Sequence, residues 1–412
     1  MNESSASAPV RLAIVGHVDH GKSTLIGRLL YDTGSLPEGV LAGVRRAGAA
    51  GDEVQLEFIT DHLAEERREA KTIDTTQVFF ESGGRRYVII DTPGHAEFLK
   101  NMFTGASRAD AALLVVDVQE GVRPQTLAHC HVLGLLGIRH VVPMVNKLDR
   151  VGYSQEQFES VAGAVSAELR ALGIEPRPPV PISARQGDNI VGPSSNTPWY
   201  SGPALLKLLA AVPEPVRLAE RRMRFAVQGG LEHAGERLCL GRVEAGTLRS
   251  GQAVRLLPDG GEGRVGSIVK SEGRPESAEA GECVGMVLAD GSVPVRGTVV
   301  CDAEDPPQVE ELLTGRLFWM AERPLERGEP LELRVATQEV SARVDRIAES
   351  FHAGSPDRVC GESEQLAYGE IGLVRVVASG PVVHEVLSCE NVLGTFVLAR
   401  SGDVAGAGTF PG

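Results

Sequence analysis

The sequence predicts an α/β domain with a mostly parallel sheet, followed by two small β-barrel domains. In residues 10–215, short apolar runs alternate with segments of helical periodicity. Two prolines in residues 212–220 interrupt this alternation, and short β-like runs separated by glycine turns follow. A second break at residues 302–309 divides the β-rich part in two. The expected divisions are a disordered N-terminus, the α/β domain and two β-barrels: residues 1–9, 10–215, 222–303 and 308–412.

The secondary structure of the first domain follows from its hydrophobic pattern. Apolar runs bounded by turn residues predict buried strands, and the amphipathic stretches between them predict helices that cover the sheet. The strands are expected at residues 11–17, 76–82, 86–92, 111–118, 140–149 and 179–183. The helices are expected at residues 22–30, 97–107, 125–137, 155–173 and 203–212.

Composition restricts the class of protein. A chain of 412 residues with 42% hydrophobic residues can bury proper cores, and a net charge of −14 argues against wide contact with nucleic acid. Six scattered cysteines without a C-x-x-C pair indicate reduced thiols in a cytoplasmic protein. The polar N-terminus and the lack of a long apolar run predict neither a secretory leader nor a membrane span.

Residues 16–23, GHVDHGKS, fit the phosphate-binding pattern G-x-x-x-x-G-K-[ST] between a predicted strand and a predicted helix. The glycines let backbone N–H groups turn toward phosphate oxygens at a helix N-terminus, which favours an anion. Lys22 is expected at the β- and γ-phosphates, and the Ser23 hydroxyl at Mg²⁺. The nucleotide contacts predicted from this segment are Val18, Asp19, His20, Gly21, Lys22, Ser23 and Thr24.

A second group of residues is expected around the γ-phosphate. Asp91 ends a predicted strand and faces the metal, and the Gly94 N–H can contact the γ-phosphate. His95 is the candidate that orients the attacking water, and Thr72 lies where a switch loop must bind both metal and γ-phosphate. The predicted metal ligands are Ser23, Thr72 and Asp91; the predicted catalytic residues are Lys22, Thr72, Gly94 and His95.

The third group selects the base. Residues 146–149, NKLD, follow a predicted strand, and the Asp149 carboxylate can accept from both guanine N1–H and the 2-amino group. Adenine would leave that carboxylate unpaired, which costs several kcal/mol when the group is buried. Ser183 and Ala184 are expected to present a backbone N–H to guanine O6. With Asn146 and Lys147, these residues predict a GTP/GDP site rather than an ATP site.

These motifs together resemble the translation-factor GTPase family. Thr72 follows Lys22 by 50 residues, which suits the branch of eukaryotic-type elongation factors and CysN/NodQ. The segments KSTLIGRLLYDTG, LLGIRHVVPMVNKLD, TPWYSGPALLKLL and TFVLARSGDVAGAG are similar to CysN/NodQ. The resemblance implies a Ras-like P-loop GTPase domain with two β-barrels, an elongation-factor-like architecture. It also implies GTP/GDP and Mg²⁺ as ligands.

The resemblance further implies a partner and a coupled reaction. CysN-type chains are GTPase subunits of sulfate adenylyltransferase and couple GTP hydrolysis to adenylation of sulfate by ATP on a CysD-type subunit. We therefore expect a hetero-oligomer with a CysD-type ATP pyrophosphatase subunit, and no contact with a membrane. No second P-loop follows residues 16–23, so we expect no fused kinase of the NodQ type.

One segment departs from the family pattern. The switch usually reads R-G-I-T or Q-G-I-T before its threonine, whereas here Glu69-Ala70-Lys71 precedes Thr72. In the family, the residue at the position of Lys71 is apolar and helps to hold the catalytic histidine away from water. The hypothesis is that the control of the histidine position is altered, which changes the basal rate of GTP hydrolysis or adds a cation near the γ-phosphate. The alternative is that Lys71 is a solvated loop lysine.

Three other functions stay open at this point. A translation factor that binds aminoacyl-tRNA would need basic and aromatic contacts across the β domains, where acidic residues are frequent and aromatic residues few. A CysN-like GTPase could serve another adenylation or sulfur-transfer enzyme. A GTP-switched binding module with little turnover would use the same site.

Overall fold

The computed structural model describes residues 9–36, 76–91, 109–213, 220–233, 235–387 and 392–411. The chain divides into two compact units. The first contains residues 1–214 with 353–355, and the second contains residues 215–352 and 356–412. The N-terminus expected to be disordered and the helix expected at residues 97–107 lie outside the described residues.

A six-stranded sheet organises the first unit, in the order β2-β3-β1-β4-β5-β6. β1, β3, β4, β5 and β6 are parallel, whereas β2 pairs antiparallel with β3. Gly83 and Gly84 form the β2–β3 turn, and both have positive φ, which glycine adopts without steric cost. The strands are β1 Val10–Val15, β2 Thr76–Ser82, β3 Arg85–Asp91, β4 Ala111–Asp117, β5 Val141–Asn146 and β6 Val180–Pro181.

Helices lie between these strands at the predicted places. They are α1 Lys22–Asp32, α2 Pro124–Leu135, α3 Gln155–Ala171 and α4 Leu205–Ala210, with a 3₁₀ turn at Leu148–Val151. β5 ends at Asn146, earlier than the expected residue 149, because Lys147 has a left-handed backbone conformation with φ 67°. The predicted strand at 179–183 is shortened to Val180–Pro181.

The core of the first unit explains why its strands are continuous apolar runs. Every residue of β4 and β5 is buried, as expected for central parallel strands whose two faces are both covered. α1 contributes Leu25, Ile26 and Leu29 to the same core, at helical spacing. The sheet therefore fixes the positions at which its strands end, and the loops that follow them carry the predicted motifs.

The second unit begins with a closed barrel in the order β10-β11-β13-β8-β7-β14. β9 and β12 form a separate two-stranded ribbon beside it. The strands are β7 Arg224–His233, β8 Glu236–Ala245, β9 Thr247–Arg249, β10 Ala253–Leu257, β11 Gly261–Val269, β12 Ser277–Glu279, β13 Cys283–Leu288 and β14 Val299–Asp302.

A seven-stranded sheet in the order β17-β22-β23-β15-β21-β18-β19 completes the second unit. An additional pairing of β17 with β18 closes six of these strands into a ring, and β16 pairs with β20. The strands are β15 Gln308–Trp319, β16 Leu325–Glu326, β17 Pro330–Val335, β18 Gln338–His352, β19 Ser355–Cys360, β20 Gln365–Leu366, β21 Glu370–His384, β22 Thr395–Arg400 and β23 Asp403–Thr409.

Each barrel has its own apolar core, but the two are joined within one unit. Phe225, Val265 and Met286 lie in the first core, whereas Leu257 and Val299 of the first barrel belong to the apolar cluster of the second. The predicted architecture, an α/β domain with a mostly parallel sheet followed by two β-barrels, is confirmed. No helix among the described residues has the length and apolar character to cross a membrane.

Candidate functional site

The motif-bearing loops meet at one edge of the parallel sheet. The phosphate loop follows β1, Glu120 follows β4, Asn146 ends β5, and Ser183 lies just after β6. Ligands of open α/β sheets bind at this carboxyl edge, since loops from neighbouring strands converge there. The sheet order therefore brings together predicted site residues that lie far apart in the sequence.

Three residues of the phosphate loop have positive φ: Gly16, Asp19 and Gly21. A Cβ on Gly16 would lie 2.3 Å from the Val115 carbonyl oxygen, and one on Gly21 would lie 2.4 Å from Asn146 Nδ2. Glycine is therefore required at both positions for space as well as for conformation. Gly21 caps α1 without a side-chain hydrogen bond, so the N–H groups of the first turn keep their potential for an anion.

The Lys22 side chain is held across the phosphate loop by backbone carbonyl groups of that loop. Its Nζ donates to the carbonyl oxygens of Gly16 and His17, each at 2.8 Å. Val18, Asp19 and Ser23 are exposed beside it, and Thr24 is half-buried. The loop thus places an ammonium group where phosphates are expected, and an accessible Ser23 hydroxyl is the hard oxygen ligand that suits Mg²⁺.

Asn146 joins the phosphate loop, residues 16–23, to the turn after β6. This turn, residues 183–188, contains the predicted base contacts Ser183 and Ala184 and is called the base loop below. Its side-chain Nδ2 donates to the His20 carbonyl at 2.8 Å, and its Oδ1 accepts from the Ala184 N–H at 3.0 Å. The residue is almost fully buried, so both hydrogen bonds are protected from water. In this geometry the Ala184 N–H donates to Asn146, and its contact with guanine O6 remains a prediction.

Lys147 makes a close ion pair with Asp117 at the end of β4. Lys147 Nζ lies 2.8 Å from Asp117 Oδ2, and Asp117 Oδ1 accepts from the Gln119 N–H at 2.7 Å. Burial opposes the carboxylate charge, but these hydrogen bonds and the ammonium charge hold the pKa of Asp117 below its usual value. Asp149 is half-buried in the 3₁₀ turn that follows.

The turn after β6 is held by local hydrogen bonds. Ser183 is fully buried, its carbonyl accepts from the Gly187 N–H at 2.8 Å, and its hydroxyl accepts from the Gln186 N–H at 3.2 Å. Asn189 donates to the Pro181 carbonyl at 2.7 Å and to Thr197 Oγ1 at 2.8 Å. The turn is therefore fixed from within before any ligand binds.

The sequence did not indicate the role of Arg28. On α1, its Nε donates to the Ala184 carbonyl at 3.3 Å and its Nη2 to the Arg185 carbonyl at 2.5 Å. An arginine on a helix is ordinarily a solvated side chain, and nothing in the motif pattern distinguished this one. Arg28 links the helix that follows the phosphate loop to the turn that contains Ser183 and Ala184.

His20 is fully buried, which the sequence also did not show. Its Nδ1 lies 3.3 Å from both the Val115 carbonyl oxygen and the Asp117 nitrogen, and its Nε2 lies 3.5 Å from Glu120 Oε2. Burial lowers the pKa of His20, although the contacts with Val115 and Glu120 act in the opposite direction. The imidazole is therefore neutral at neutral pH.

The predicted γ-phosphate group lies mostly outside the described residues. Thr72, Gly94 and His95 are not described, nor is Lys71 in the departing switch segment. For Asp91 the backbone ends β3 beside Ile14 of β1, which is the carboxyl edge of the sheet. The metal and catalytic roles of these residues stay predictions.

Family models match the chain in three consecutive segments. The elongation factor Tu GTP binding domain matches residues 8–217. Elongation factor Tu domain 2 matches residues 236–301, and the GTP-eEF1A C-terminal domain-like model matches residues 313–410.

Three relatives each match at least 94% of this chain. The bifunctional enzyme CysN/CysC of Xylella fastidiosa is 36% identical over 407 residues, 97% of this chain and 65% of the relative. Sulfate adenylyltransferase subunit 1 of Citrobacter koseri is 36% identical and covers 94% and 83%. Elongation factor 1-alpha of Pyrococcus furiosus is 35% identical and covers 97% and 96%. The chain thus spans just under two thirds of the bifunctional relative.

Proposed function

The chain belongs to the translation-factor GTPase family, and from that premise we propose that it couples GTP hydrolysis to ATP-dependent activation of sulfate. The proposed products of the coupled reaction are adenylylsulfate and pyrophosphate, with the ATP chemistry on a CysD-type partner subunit. The observation that carries the nucleotide part is Asn146, which holds the phosphate loop and the base loop together through its two amide atoms.

We assign phosphate binding to the loop between β1 and α1. Lys22 already spans this loop, and its three donors can be shared between backbone carbonyls and phosphate oxygens. Residues 18–24 supply backbone N–H groups from the end of the loop and the start of α1. Ser23, Thr72 and Asp91 are the proposed Mg²⁺ ligands, and the ion would neutralise charge that develops on the phosphate oxygens.

Base selection is assigned to the loops after β5 and β6. The ion pair with Asp117, which holds the Lys147 side chain, supports this assignment, and Asp149 lies two residues further along in the 3₁₀ turn. We propose that the Asp149 carboxylate accepts from guanine and that the Ala184 N–H contacts O6. Hydrolysis is assigned to His95, which orients the water, with Thr72 and Gly94 sensing the γ-phosphate.

Two observations favour sulfate activation as the coupled reaction. Relatives named CysN/CysC and sulfate adenylyltransferase subunit 1 match the chain over 94–97% of its length. The chain also has a net charge of −14, which is unfavourable for a broad RNA-binding surface. The elongation factor 1-alpha relative is nearly as similar, so binding of aminoacyl-tRNA is the second candidate function.

The experiment compares GTP turnover by the purified chain alone and with a CysD-type subunit, ATP and sulfate. We expect turnover to rise only in the complete mixture and to be abolished in Lys22→Ala. An equal rise upon addition of aminoacyl-tRNA without ATP and sulfate would favour the second candidate. Turnover that ignores every addition would contradict the proposed coupling.

A further inference from the structure

His17, His20 and Glu120 form a cluster at the phosphate loop. Each offers one potential ligand atom, and these atoms all lie within 4.8 Å of one another. We propose that the three residues bind a divalent transition-metal ion of the Zn²⁺ class, at a site separate from the expected Mg²⁺ site of the nucleotide.

The buried atom of the cluster is His20 Nε2. His20 has no exposed surface, and within the described residues its Nε2 has no hydrogen-bond partner. Glu120 Oε2 lies 3.5 Å away, which is longer than an ordinary N–H···O hydrogen bond. Buried polar atoms of native proteins are almost always satisfied, so a buried nitrogen that faces a carboxylate only at this long distance is a candidate metal ligand.

The second nitrogen of each ring supports the same conclusion. His17 Nδ1 lies 2.8 Å from the Val18 carbonyl oxygen, which can only accept, so Nδ1 carries the proton and Nε2 the lone pair. His20 Nδ1 can donate in the same way to the Val115 carbonyl at 3.3 Å. Metal-binding histidines characteristically donate their other N–H to a carbonyl or carboxylate, which orients the lone pair.

The Asp117 N–H also lies 3.3 Å from His20 Nδ1 and favours the opposite tautomer. In that tautomer Nδ1 accepts from Asp117 and Nε2–H faces Glu120. Both tautomers are neutral, so a metal ion need only move the proton from Nε2 to Nδ1 and displace none to solvent. Since burial lowers the pKa of His20, protons compete little with the metal at neutral pH.

The ligand types decide which cation fits. Two imidazoles and one carboxylate suit Zn²⁺, Co²⁺ or Ni²⁺, whereas Mg²⁺ prefers oxygen ligands. Arg123 Nε lies 3.6 Å from Glu120 Oε2 and competes for this carboxylate, but both side chains are partly exposed and can separate. Because both histidines belong to the phosphate loop, a bound ion would tie this loop to the segment after β4.

Cobalt is a suitable probe because its visible absorption reports nitrogen and oxygen ligands. The full chain, freed of metal with a chelator and alkylated at its accessible cysteines, is titrated with Co²⁺ in saturating GDP and Mg²⁺. We expect one equivalent to bind with a visible band that Zn²⁺ removes and excess Mg²⁺ does not. Absence of this band, or its removal by Mg²⁺, would overturn the proposal.

Variants locate the ion. His17→Ala and Glu120→Gln alter half-buried or exposed side chains, and each is expected to weaken Co²⁺ binding at least about tenfold. His140→Ala and Glu175→Gln are the matched controls, since both lie outside the cluster, and should leave binding unchanged. Equal affinity in all four variants would also overturn the proposal. The titration follows metal binding alone, so its outcome is separate from that of the GTP turnover experiment.

Discussion

Asn146 illustrates how one residue can organise the described part of the nucleotide site. Its amide donates to the loop after β1 and accepts from the turn after β6, and it is itself the last residue of β5. Loss of either hydrogen bond would leave a buried polar group unsatisfied, which costs about 1–3 kcal/mol. The geometry of the phosphate loop and that of the base loop therefore depend on each other.

Asp149→Asn is predicted to change base preference from guanine to xanthine. The amide of asparagine offers a donor to the carbonyl that xanthine has at position 2, where guanine has an amino group. We expect GTP affinity to fall at least about tenfold, equivalent to roughly 1.4 kcal/mol, and XTP affinity to rise. Competition of both nucleotides against a fluorescent GDP analogue measures this, with Asp259→Asn, an exposed residue of the β10–β11 turn, as control. Unchanged preference would remove Asp149 from the base site.

Asp117→Asn is predicted to destabilise the protein at neutral pH by about 1–3 kcal/mol. The pKa of Asp117 is lowered in the folded state, so its charge stabilises the fold above the unfolded pKa of about 3.9. That contribution is lost as the pH falls through the folded pKa. The difference between wild type and variant in urea denaturation should therefore shrink toward acid pH.

The exposed ion pair of Arg170 and Glu175 supplies the control for this titration. Its side chains are 57% and 76% exposed, so Glu175→Gln should change stability by less than about 0.5 kcal/mol at any pH. A pH-independent loss of stability in Asp117→Asn would show that shape rather than charge is responsible.

At the scale of elements, α1 connects two parts of the site. The helix starts at the phosphate loop, and Arg28 on its second turn donates to two carbonyl groups of the turn after Ser183. A rigid helix transmits position along its length, so the phosphate loop and the base loop are linked through α1 as well as through Asn146.

Arg28→Ala is predicted to loosen residues 183–188 without unfolding the unit. The two hydrogen bonds to the turn and the ion pair with Asp32 on the same helix are removed. A hydrogen bond from a charged donor contributes about 1.5–3 kcal/mol net. Amide hydrogen exchange in this turn should accelerate, and bound GDP should dissociate faster. Arg170→Ala, an exposed arginine on α3, should change neither rate. Protected amides at 183–188 in Arg28→Ala would contradict the link.

The sequence predicted the elements of this unit better than their ends. Strands such as β4 and β5 are fully buried apolar runs, so the hydrophobic pattern and the turn residues at their ends were sufficient to predict them. The end of β5 depends on the left-handed conformation of Lys147, which the pattern does not reveal. The burial of His20 and the contacts of Arg28 depend on tertiary packing between loops, so no local pattern could predict them.

At the scale of the molecule, Arg224 connects the two barrels of the second unit. It lies on β7 and is almost fully buried; its guanidinium contacts Glu385 after β21 at 2.7 Å and Asp305 at 3.4 Å. The prolines at 306 and 307 predicted a boundary between two β domains. A buried charge that links residues far apart in the sequence could not be inferred from that boundary.

Arg224→Met is predicted to destabilise the second unit by about 2 kcal/mol, since it leaves the partly buried Glu385 without its main cationic partner. The thermal midpoint should fall by roughly 4–8 °C. Arg222→Met is the matched control, because this arginine is 66% exposed and lies 3.7 Å from the same Asp305. Equal melting of both variants in calorimetry would show that the buried pair contributes little.

The proposed coupling of GTP hydrolysis to sulfate activation is tested most directly by the ratio of two products, phosphate and adenylylsulfate. The chain is combined with a CysD-type subunit, ATP, sulfate and GTP, and phosphate released from GTP is measured together with adenylylsulfate. We predict that the two rise in a fixed ratio. GDP in place of GTP should abolish the adenylylsulfate formed beyond the amount that ATP and sulfate give without GTP. Adenylylsulfate that accumulates equally with GDP, or GTP turnover indifferent to ATP and sulfate, would contradict the account.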